Sequence, residues 1–314
     1  MIIKTNNLIK KFPSKGGYID AVNGINLEGQ KGEIFGFLGP NGAGKTTTLK
    51  MLATLLTIDG GEAMVAGFDV KSQSNEVRKR IGYVSQKGSV DTQATGFENL
   101  VLQGNLYGLT KKESINQANK LIEIFSLEDC ANRFAKTYSG GQQRRLDIAL
   151  GMMHKPDILF LDEPTTGLDP QNRSNLWTQI KNLKHDGVSI FLTSHYLEEV
   201  DYLADRLPII DRGKIVATGS ARELKKQIAG DLITLGLENQ KHLQIIDIFN
   251  THPFTRNIIS DDKNLYIYVD NGEAALPKIL RLLDNEKISI DTISLSLPTL
   301  NDVFLQKTGK SLRE

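Results

Sequence analysis

The sequence predicts an α/β domain built on a mostly parallel sheet, followed by a smaller α+β domain. An apolar stretch, residues 33–38, runs into a glycine-rich loop and then into a helical pattern over residues 45–56. Two more apolar stretches, 157–161 and 188–193, flank a helical pattern over residues 171–183, as parallel strands joined by a crossover helix do. After about residue 220 the order of predicted strands and helices is different, so a second domain is expected.

Composition and charge limit the classes of function. The chain has 314 residues, 39% of them hydrophobic, enough for the core of one large domain or of two. Its 38 Lys and Arg nearly balance its 37 Asp and Glu, so no basic field is available to hold nucleic acid by its phosphates. We therefore expect no nucleic-acid partner.

Cysteine content and apolar runs indicate the compartment. Cys130 is the only cysteine, so neither an intrachain disulfide nor a cysteine-based metal site can form, which fits a reducing cytoplasm. The N-terminus lacks the apolar core of a signal peptide, and no apolar run approaches the roughly twenty residues that span a bilayer. We expect a cytoplasmic chain that does not itself cross the membrane.

The order of predicted elements divides the chain near residue 220. Short strands at residues 2–5 and 24–28 predict a small antiparallel β layer that precedes the sheet. Apolar residues recur at helical spacing from about residue 88 to 153, which predicts an inserted helical subdomain. Residues 1–220 would form the main domain.

Residues 221–314 predict an accessory domain. Its predicted elements are a helix at 221–228, a strand at 231–237, a helix at 241–250, strands at 255–260 and 264–269, a helix at 274–284 and a strand at 287–296. From residue 231 this is the β-α-β-β-α-β order of ferredoxin-like domains, so the domain begins near residue 221 or 231. Thr299 and Asp302 resemble a capping box that opens a last short helix, before a charged tail.

The glycine-rich loop predicts a nucleoside triphosphate site. Residues 38–47, LGPNGAGKTT, match G-x-x-x-x-G-K-[ST], a loop whose backbone N–H groups surround phosphates. Lys45 would contact the β- and γ-phosphates, and the Thr46 hydroxyl would hold Mg²⁺. The nucleotide-binding residues predicted in this loop are Gly39, Pro40, Asn41, Gly42, Ala43, Gly44, Lys45, Thr46 and Thr47.

Two adjacent acids end a later apolar strand. Asp162 and Glu163 follow residues 157–161, at the carboxyl edge of the sheet, where ligands bind in open α/β folds. Asp162 is the candidate Mg²⁺ partner, directly or through water. Glu163 is the candidate base that orients or deprotonates the attacking water. The alternative, a solvated turn after a strand, is less favoured beside a phosphate-binding loop.

A second run has the properties of an anion site. Ser139, Gly140, Gly141 and Gln142 precede apolar residues at helical spacing, so they predict a helix N-terminus that faces outward. By itself such a run is typical of a simple N-cap and turn. Two phosphate sites in one chain suggest that a nucleotide is held between two surfaces.

Together these motifs resemble those of the ATP-binding cassette (ABC) ATPases. The glycine-rich loop is similar to their Walker A motif, residues 158–163 to Walker B, and residues 139–142 to their signature motif, with Tyr138 in the usual leucine place. Residues 167–170 resemble the D-loop. These four motifs and two more, a Q-loop and a switch histidine, follow in the family's order over residues 1–220. The resemblance implies an ABC cassette of the P-loop NTPase class, with ATP and Mg²⁺ as its cofactors.

The resemblance also assigns roles that single residues would not support. Alone, Gln86 is typical of a surface residue and His195 of a structural hydrogen-bonding residue. By resemblance, Gln86 is the Q-loop residue that contacts Mg²⁺ or the attacking water, His195 is the switch histidine at the γ-phosphate, and Asp169 is the D-loop acid. Phe12 lies where the family stacks an aromatic ring on adenine; Tyr18 is the alternative.

The family resemblance implies partners. In this family two cassettes meet head to tail, and each ATP lies between one Walker A motif and the other chain's signature motif. A homodimer, or pairing with a similar ATPase chain, is implied. A separate integral membrane permease would then hold the chain at the inner face of the cell membrane.

Two segments narrow the resemblance further. Residues 139–149 and 300–305 are similar to those of the drug-exporter (daunorubicin-resistance-type) subgroup, whose ATPase carries a small C-terminal domain. Some members of that subgroup have glutamine at the switch position, whereas His195 is retained here. Transport of lipid-linked sugars or ions, as in other relatives, therefore remains an alternative to drug export.

The sequence disfavours two other functions. A soluble ABC ATPase that acts on ribosomes or DNA usually joins two cassettes in one chain or inserts a long coiled coil, and this sequence shows one cassette and no sustained heptads. A poorly catalytic regulatory module is disfavoured because both Glu163 and His195 are present. The favoured function is ATP hydrolysis that drives export through a permease.

Overall fold

The computed structural model describes residues 1–227, 230–236, 246, 248–249, 252–260, 264–286 and 288–308. The chain divides into two compact units, Met1–Ala221 and the residues from Arg222 onward. Within the described residues, no helix is long and apolar enough to span a bilayer.

The first unit alternates strands and helices. Its elements are β1 (Ile3–Ser14), β2 (Gly17–Gly29), β3 (Ile34–Leu38), α1 (Lys45–Leu52), β4 (Gly60–Val65), β5 (Phe68–Asp69), α2 (Ser74–Arg80), β6 (Ile81–Val84), α3 (Gly96–Leu106), α4 (Lys111–Ile124), a 3₁₀ turn (Ala135–Thr137), α5 (Gly140–Met152), β7 (Ile158–Asp162), α6 (Pro170–His185), β8 (Ser189–Ser194), α7 (Leu197–Leu203), β9 (Leu207–Asp211) and β10 (Lys214–Gly219). Helix α8 (Ala221–Lys226) begins at the last residue of this unit.

A six-stranded sheet forms the centre of this unit, in the order β10-β9-β3-β8-β7-β6. The pairs from β9 to β6 are parallel, and β10 joins antiparallel at the edge. Leu38 pairs with Ser194, and Asp162 with Thr193, so the strands β3, β7 and β8 end at one edge. The strands predicted at 33–38, 157–161 and 188–193 are confirmed within a residue or two.

Aromatic packing holds the middle of the sheet rigid. All residues of β3, β7 and β8 are buried, as expected for parallel strands covered on both faces. The ring of Phe191 contacts those of Phe35, Phe37 and Phe160, with centroids 5.5–6.2 Å apart. The edge that carries the candidate site is therefore anchored by a packed core.

The N-terminal strands are longer than predicted. An antiparallel sheet has the order β2-β1-β4-β5, and the predicted strands 2–5 and 24–28 are only the ends of a long β1–β2 hairpin. Residues 11–20 are exposed, so they carry no alternation of apolar and polar side chains by which a strand is recognised. Backbone pairing alone marks this part of the hairpin.

Helix limits differ from prediction where the backbone turns. The helix predicted over residues 45–56 ends at Leu52, because Thr54 has a left-handed φ of 62° that a helix cannot contain. Helices α3, α4 and α5 lie within residues 88–153, where helical spacing was found. The sequence patterns did not predict α2 or α7, which have seven residues each.

The second unit contains a four-stranded antiparallel sheet. Its strands are β11 (Asp231–Gly236), β12 (Thr255–Ser260), β13 (Asn264–Val269) and β14 (Thr292–Ser296), in the order β12-β13-β11-β14, with helices α9 (Gly272–Asn285) and α10 (Leu300–Thr308). In this order β13 lies between β11 and β12, and β11 lies between β13 and β14. The strand predicted at 287–296 begins only at Thr292. Most of the helix predicted at 241–250 and the tail 309–314 lie outside the described residues.

Candidate nucleotide site

The glycine-rich loop lies between β3 and α1 and depends on the absence of side chains. A Cβ atom on Gly39 would lie 2.4 Å from the Ile210 carbonyl oxygen, and one on Gly44 would lie 2.3 Å from that of Ala21. Gly44 also has a φ of 106°, which favours glycine. It is the N-cap of α1 and supplies no side chain, so the first N–H groups of the helix remain available to an anion.

A cavity of about 550 Å³ opens at this loop. Its lining comprises Ala21, Pro40, Asn41, Gly42, Gly44, Lys45, Thr46, Thr47, Gln86, Glu163, Thr166 and His195. The structure thus brings together residues from the ends of β3, β6, β7 and β8, which are far apart in sequence. Gly39 and Ala43 lie in the same loop but outside the lining.

Lys45 is held inside the loop. Its side chain is only 4% exposed, and Nζ donates hydrogen bonds to the carbonyl oxygens of Gly39 at 2.7 Å and Pro40 at 3.1 Å. Nζ also lies 3.4 Å from Glu163 Oε1. Burial lowers the pKa of Lys45, and the nearby Glu163 and Asp162 carboxylates oppose that shift. The ammonium is therefore aimed at the cavity and paired with an acid.

Glu163 lies at the centre of the site. Its backbone φ is 47°, a left-handed conformation that is uncommon outside glycine and that clusters at functional positions. Oε2 accepts hydrogen bonds from Gln86 Nε2 at 3.1 Å and from Thr166 Oγ1 at 3.3 Å. His195 Nδ1 lies 3.2 Å from the same oxygen but forms no hydrogen bond with any described residue. Three predicted catalytic side chains, Gln86, Glu163 and His195, thus meet beside Lys45.

Asp162 is nearly fully buried beside Glu163. Its Oδ1 accepts hydrogen bonds from Thr46 Oγ1 at 2.9 Å and from Thr193 Oγ1 at 2.7 Å. The described residues contain no group of three or more His, Cys, Asp or Glu that could hold a metal ion by themselves. One carboxylate and one hydroxyl fit Mg²⁺, which is usually bound by one or two carboxylates together with substrate phosphates and water.

The predicted second anion site lies elsewhere on the chain. Ser139 is the N-cap of α5, with a capping box in which Ser139 Oγ accepts from the Gln142 N–H and Gln142 Oε1 from the Ser139 N–H. Ser139 and Gly140 are exposed, and among the described residues none of the run 139–142 lines the cavity. A Cβ on Gly141 would lie 2.5 Å from Asn172, which hydrogen-bonds to Asp169. Asp169 caps α6 and is likewise outside the cavity lining.

The two aromatic candidates for adenine also lie outside this lining. Phe12 is 37% exposed on β1, and Lys10 Nζ lies 5.6 Å from the centre of its ring. Tyr18, 74% exposed, pairs with Pro13 across the hairpin. Both side chains remain accessible, and the choice between them stays a prediction.

Family models match both units of the chain. One described as "ABC transporter" matches residues 22–166, which include the glycine-rich loop, Gln86, α5 and the two acids at the end of β7. The daunorubicin/doxorubicin resistance ATP-binding protein of Streptomyces peucetius is 39% identical over 317 residues, 98% of this chain and 92% of that protein. The chain belongs to the ABC transporter ATP-binding proteins.

Further relatives agree with this family. A model described as "ATP-binding protein DrrA1-3-like, C-terminal domain" matches residues 219–308 of this ABC protein. The linearmycin resistance ATP-binding protein of Bacillus subtilis (strain 168) is 34% identical over the full length of both chains. A solved dimeric ATP-binding cassette in a post-hydrolysis state with ADP and Pi is 25% identical, with a TM-score of 0.64 over 70% of this chain and 98% of that one. The predicted ABC family, the P-loop α/β fold and the ATPase class are confirmed.

Sequence patterns missed several residues that shape this ABC site. Thr193 donates to Asp162 and its Oγ1 accepts from the Glu163 N–H at 3.0 Å. Arg144 donates to backbone oxygens around Glu163. A threonine at a strand end and an arginine within a helix are common, so neither stood out by type. The pairing of β7 with β8 could have indicated Thr193, which lies opposite Asp162.

Proposed function

We propose that this ABC ATPase powers a separate integral membrane permease, in the export of a drug-like or other amphipathic substrate. The observation that carries the proposal is the convergence of Gln86, His195 and Lys45 on the carboxylate of Glu163 at one cavity. The resistance proteins named above support export, because they are similar to this chain over nearly its whole length. Attachment to the permease would place the chain on the cytoplasmic face of the membrane.

Each group of residues at the cavity has a separate role in phosphoryl transfer. Backbone N–H groups of residues 39–47 and the ammonium of Lys45 would hold the phosphates of ATP. Glu163 would orient or deprotonate the attacking water, while Gln86 and His195 fix the position of its carboxylate and of the γ-phosphate. Thr46 and Asp162 would hold Mg²⁺, which neutralises charge that develops on the phosphates.

A second cassette would complete the site. The helix N-terminus at Ser139 is exposed, so it is available to the ATP of another chain, with Gly140, Gly141 and Gln142 beside it. We therefore propose homodimerisation, or pairing with a similar ATPase chain, and this exposed helix N-terminus supports it. Residues 221–314 would form an accessory domain of the same subunit. A soluble ABC ATPase that acts on ribosomes or nucleic acid is not favoured by the relatives.

The Glu163→Gln variant tests the catalytic assignment. Glutamine keeps the size of the side chain but cannot accept a proton, so we expect ATP hydrolysis to slow by about 10²–10⁴ while ATP still binds. Steady-state phosphate release and calorimetric ATP binding measure the two effects. Glu198→Gln, an exposed acid on α7, is the matched control and should hydrolyse ATP normally. Unchanged turnover in Glu163→Gln would remove Glu163 from the chemistry.

A further inference from the structure

Arg144 on α5 holds the backbone on both sides of the central glutamate. Its Nε donates to the Pro164 carbonyl oxygen at 2.7 Å, and one terminal nitrogen donates to that of Asp162 at 3.1 Å. These are the residues directly after and before Glu163. The arginine is only 8% exposed, so these hydrogen bonds are shielded from water.

The same side chain also holds the loop that carries Gln86. The other terminal nitrogen of Arg144 donates to the Ser85 carbonyl oxygen at 2.7 Å. Ser85 is the residue before Gln86, whose amide contacts Glu163. One guanidinium therefore connects the backbone next to both partners of this contact.

Asp147, one turn further along α5, fixes the far side of that loop. Its Oδ1 accepts from the Ser89 backbone N–H at 2.7 Å. A Cβ on Gly88 would lie 2.6 Å from Asp147 Oδ2, so the loop lies directly against the carboxylate. Burial raises the pKa of Asp147, and the Ser89 N–H and the positive charge of Arg144 oppose that shift.

The backbone held in this way is strained. Glu163 has a left-handed φ, and such a conformation persists only where the surroundings fix it. Arg144 fixes the carbonyl groups that flank it, and its planar guanidinium directs N–H groups along several lines at once. A lysine ammonium could keep the charge but not all three hydrogen bonds.

We propose that Arg144 and Asp147 are positioning residues for hydrolysis, which hold Glu163 and Gln86 in their catalytic geometry from the signature helix α5. The inference rests on the proposed function, because it concerns the same reaction. It assigns neither residue a contact with ATP. It predicts that their loss lowers the rate of the chemical step and leaves ATP affinity nearly intact.

The test compares Arg144→Lys with Arg145→Lys in the full-length chain. Arg145 is the matched control, because it is the next residue on α5 and donates to the carbonyl oxygens of Phe125, Ser126 and, at 3.4 Å, Gly141, all outside the cavity lining. A lysine at this position leaves the backbone N–H groups at the start of α5 in place. We expect Arg144→Lys to lower kcat by about 10- to 100-fold, the loss that a small misplacement of catalytic groups causes. The KM for ATP and calorimetric ATP binding should change by less than about threefold. Arg145→Lys should keep both constants.

Asp147→Asn is a second variant, which tests the inference even if Arg144→Lys does not fold. It keeps the size of the side chain and one acceptor oxygen, so we expect the chain to fold and kcat to fall by a smaller factor, about 3- to 10-fold, with KM retained. Equal losses in Arg144→Lys and Arg145→Lys, or a loss of ATP binding that matches the loss of rate, would overturn the inference. If the wild-type chain hydrolyses ATP and Arg144→Lys and Asp147→Asn hydrolyse it at the same rate, the inference fails but the proposed function stands. If the wild type itself does not hydrolyse ATP, the proposed function fails.

Discussion

Individual charges in the site depend on one another. Lys45 is buried, which disfavours its ammonium, but Glu163 Oε1 lies 3.4 Å away and stabilises it. Glu163 in turn contacts the amide of Gln86 and lies beside the imidazole of His195. Any substitution among these four side chains leaves a buried polar group with fewer partners, so large effects are expected from small changes.

Lys45→Ala should weaken nucleotide binding itself. The ammonium is the one side-chain charge of the glycine-rich loop, and a hydrogen bond to a charged group contributes about 1.5–3 kcal/mol. We expect the Kd for ATP in calorimetry to rise by about 10- to 100-fold. Lys50→Ala, on the same helix but outside the cavity lining, is the matched control. An unchanged ATP affinity in Lys45→Ala would contradict the phosphate-binding role of the loop.

Thr193→Val should destabilise the fold as well as the site. The Thr193 hydroxyl is fully buried, donates to Asp162 and accepts from the Glu163 N–H. Valine has nearly the same shape but removes one hydrogen bond from each of these two groups, which keep only their other partners. The loss of two buried hydrogen bonds costs about 1–3 kcal/mol. The free energy of unfolding in urea measures the loss. Thr178→Val, whose hydroxyl is exposed on α6, should change it by less than about 0.5 kcal/mol.

At the scale of elements, α5 connects two parts of the site. Its N-terminus at Ser139 is exposed and outside the cavity lining, whereas Arg144, just over one turn later, is buried against the backbone beside Glu163. The start of α5 also packs against Asn172 at the start of α6. One helix therefore carries the proposed outward-facing anion site at its end and an inward-facing hydrogen-bonding network on its side.

Ser139→Arg should block dimerisation without loss of ATP binding to the single chain. A large cation at the helix N-terminus opposes the dipole and fills the space that a second chain's ATP would occupy. In the Glu163→Gln background, sedimentation with MgATP should show a dimer that Ser139→Arg abolishes. Thr110→Arg is the control, because Thr110 is the exposed N-cap of α4 with the same capping box. A dimer that survives Ser139→Arg would contradict the two-chain site.

At the scale of the whole molecule, the described cavity contains only part of the predicted nucleotide site. Walker A, Walker B, Gln86 and His195 line or border it, while the signature residues lie elsewhere on the same chain. A solved cassette similar to this chain is a dimer with ADP and Pi. Hydrolysis should therefore be a property of paired chains.

Specific activity should rise with protein concentration. If each site needs residues of two chains, dilution below the dimer Kd leaves monomers that bind ATP but hydrolyse it slowly. We expect phosphate release per chain to increase with chain concentration and then reach a plateau, and to vanish when EDTA removes Mg²⁺. The Ser139→Arg chain should stay at the low rate at every concentration. A wild-type rate per chain that is independent of concentration down to the nanomolar range would argue that one chain suffices.

Prediction from sequence was most complete where a motif fixes local geometry. The glycine-rich loop, the strand that precedes it and the two acids at the carboxyl end of β7 lie where the sequence patterns predict them, because these depend on neighbouring residues. Short elements and elements without periodicity were missed or shortened: the exposed part of the β1–β2 hairpin, the strands β4, β5, β9 and β10, and the seven-residue helices α2 and α7. The ends of α1 and β14 were also displaced, since turn conformations such as that of Thr54 leave weak sequence signals.

The sequence by itself determined the family, the residue types of the site and the order of its motifs, because each is written in adjacent residues. Only the tertiary structure decided that Gln86 and His195 both lie beside one carboxylate oxygen of Glu163. It also decided that the Glu163 backbone is strained and that Arg144 holds the backbone around it. These contacts join residues that lie 18 to 77 positions apart in the sequence. They arise because parallel strands end at one edge of the sheet, a relation that the pairing of strands creates and that no local pattern contains.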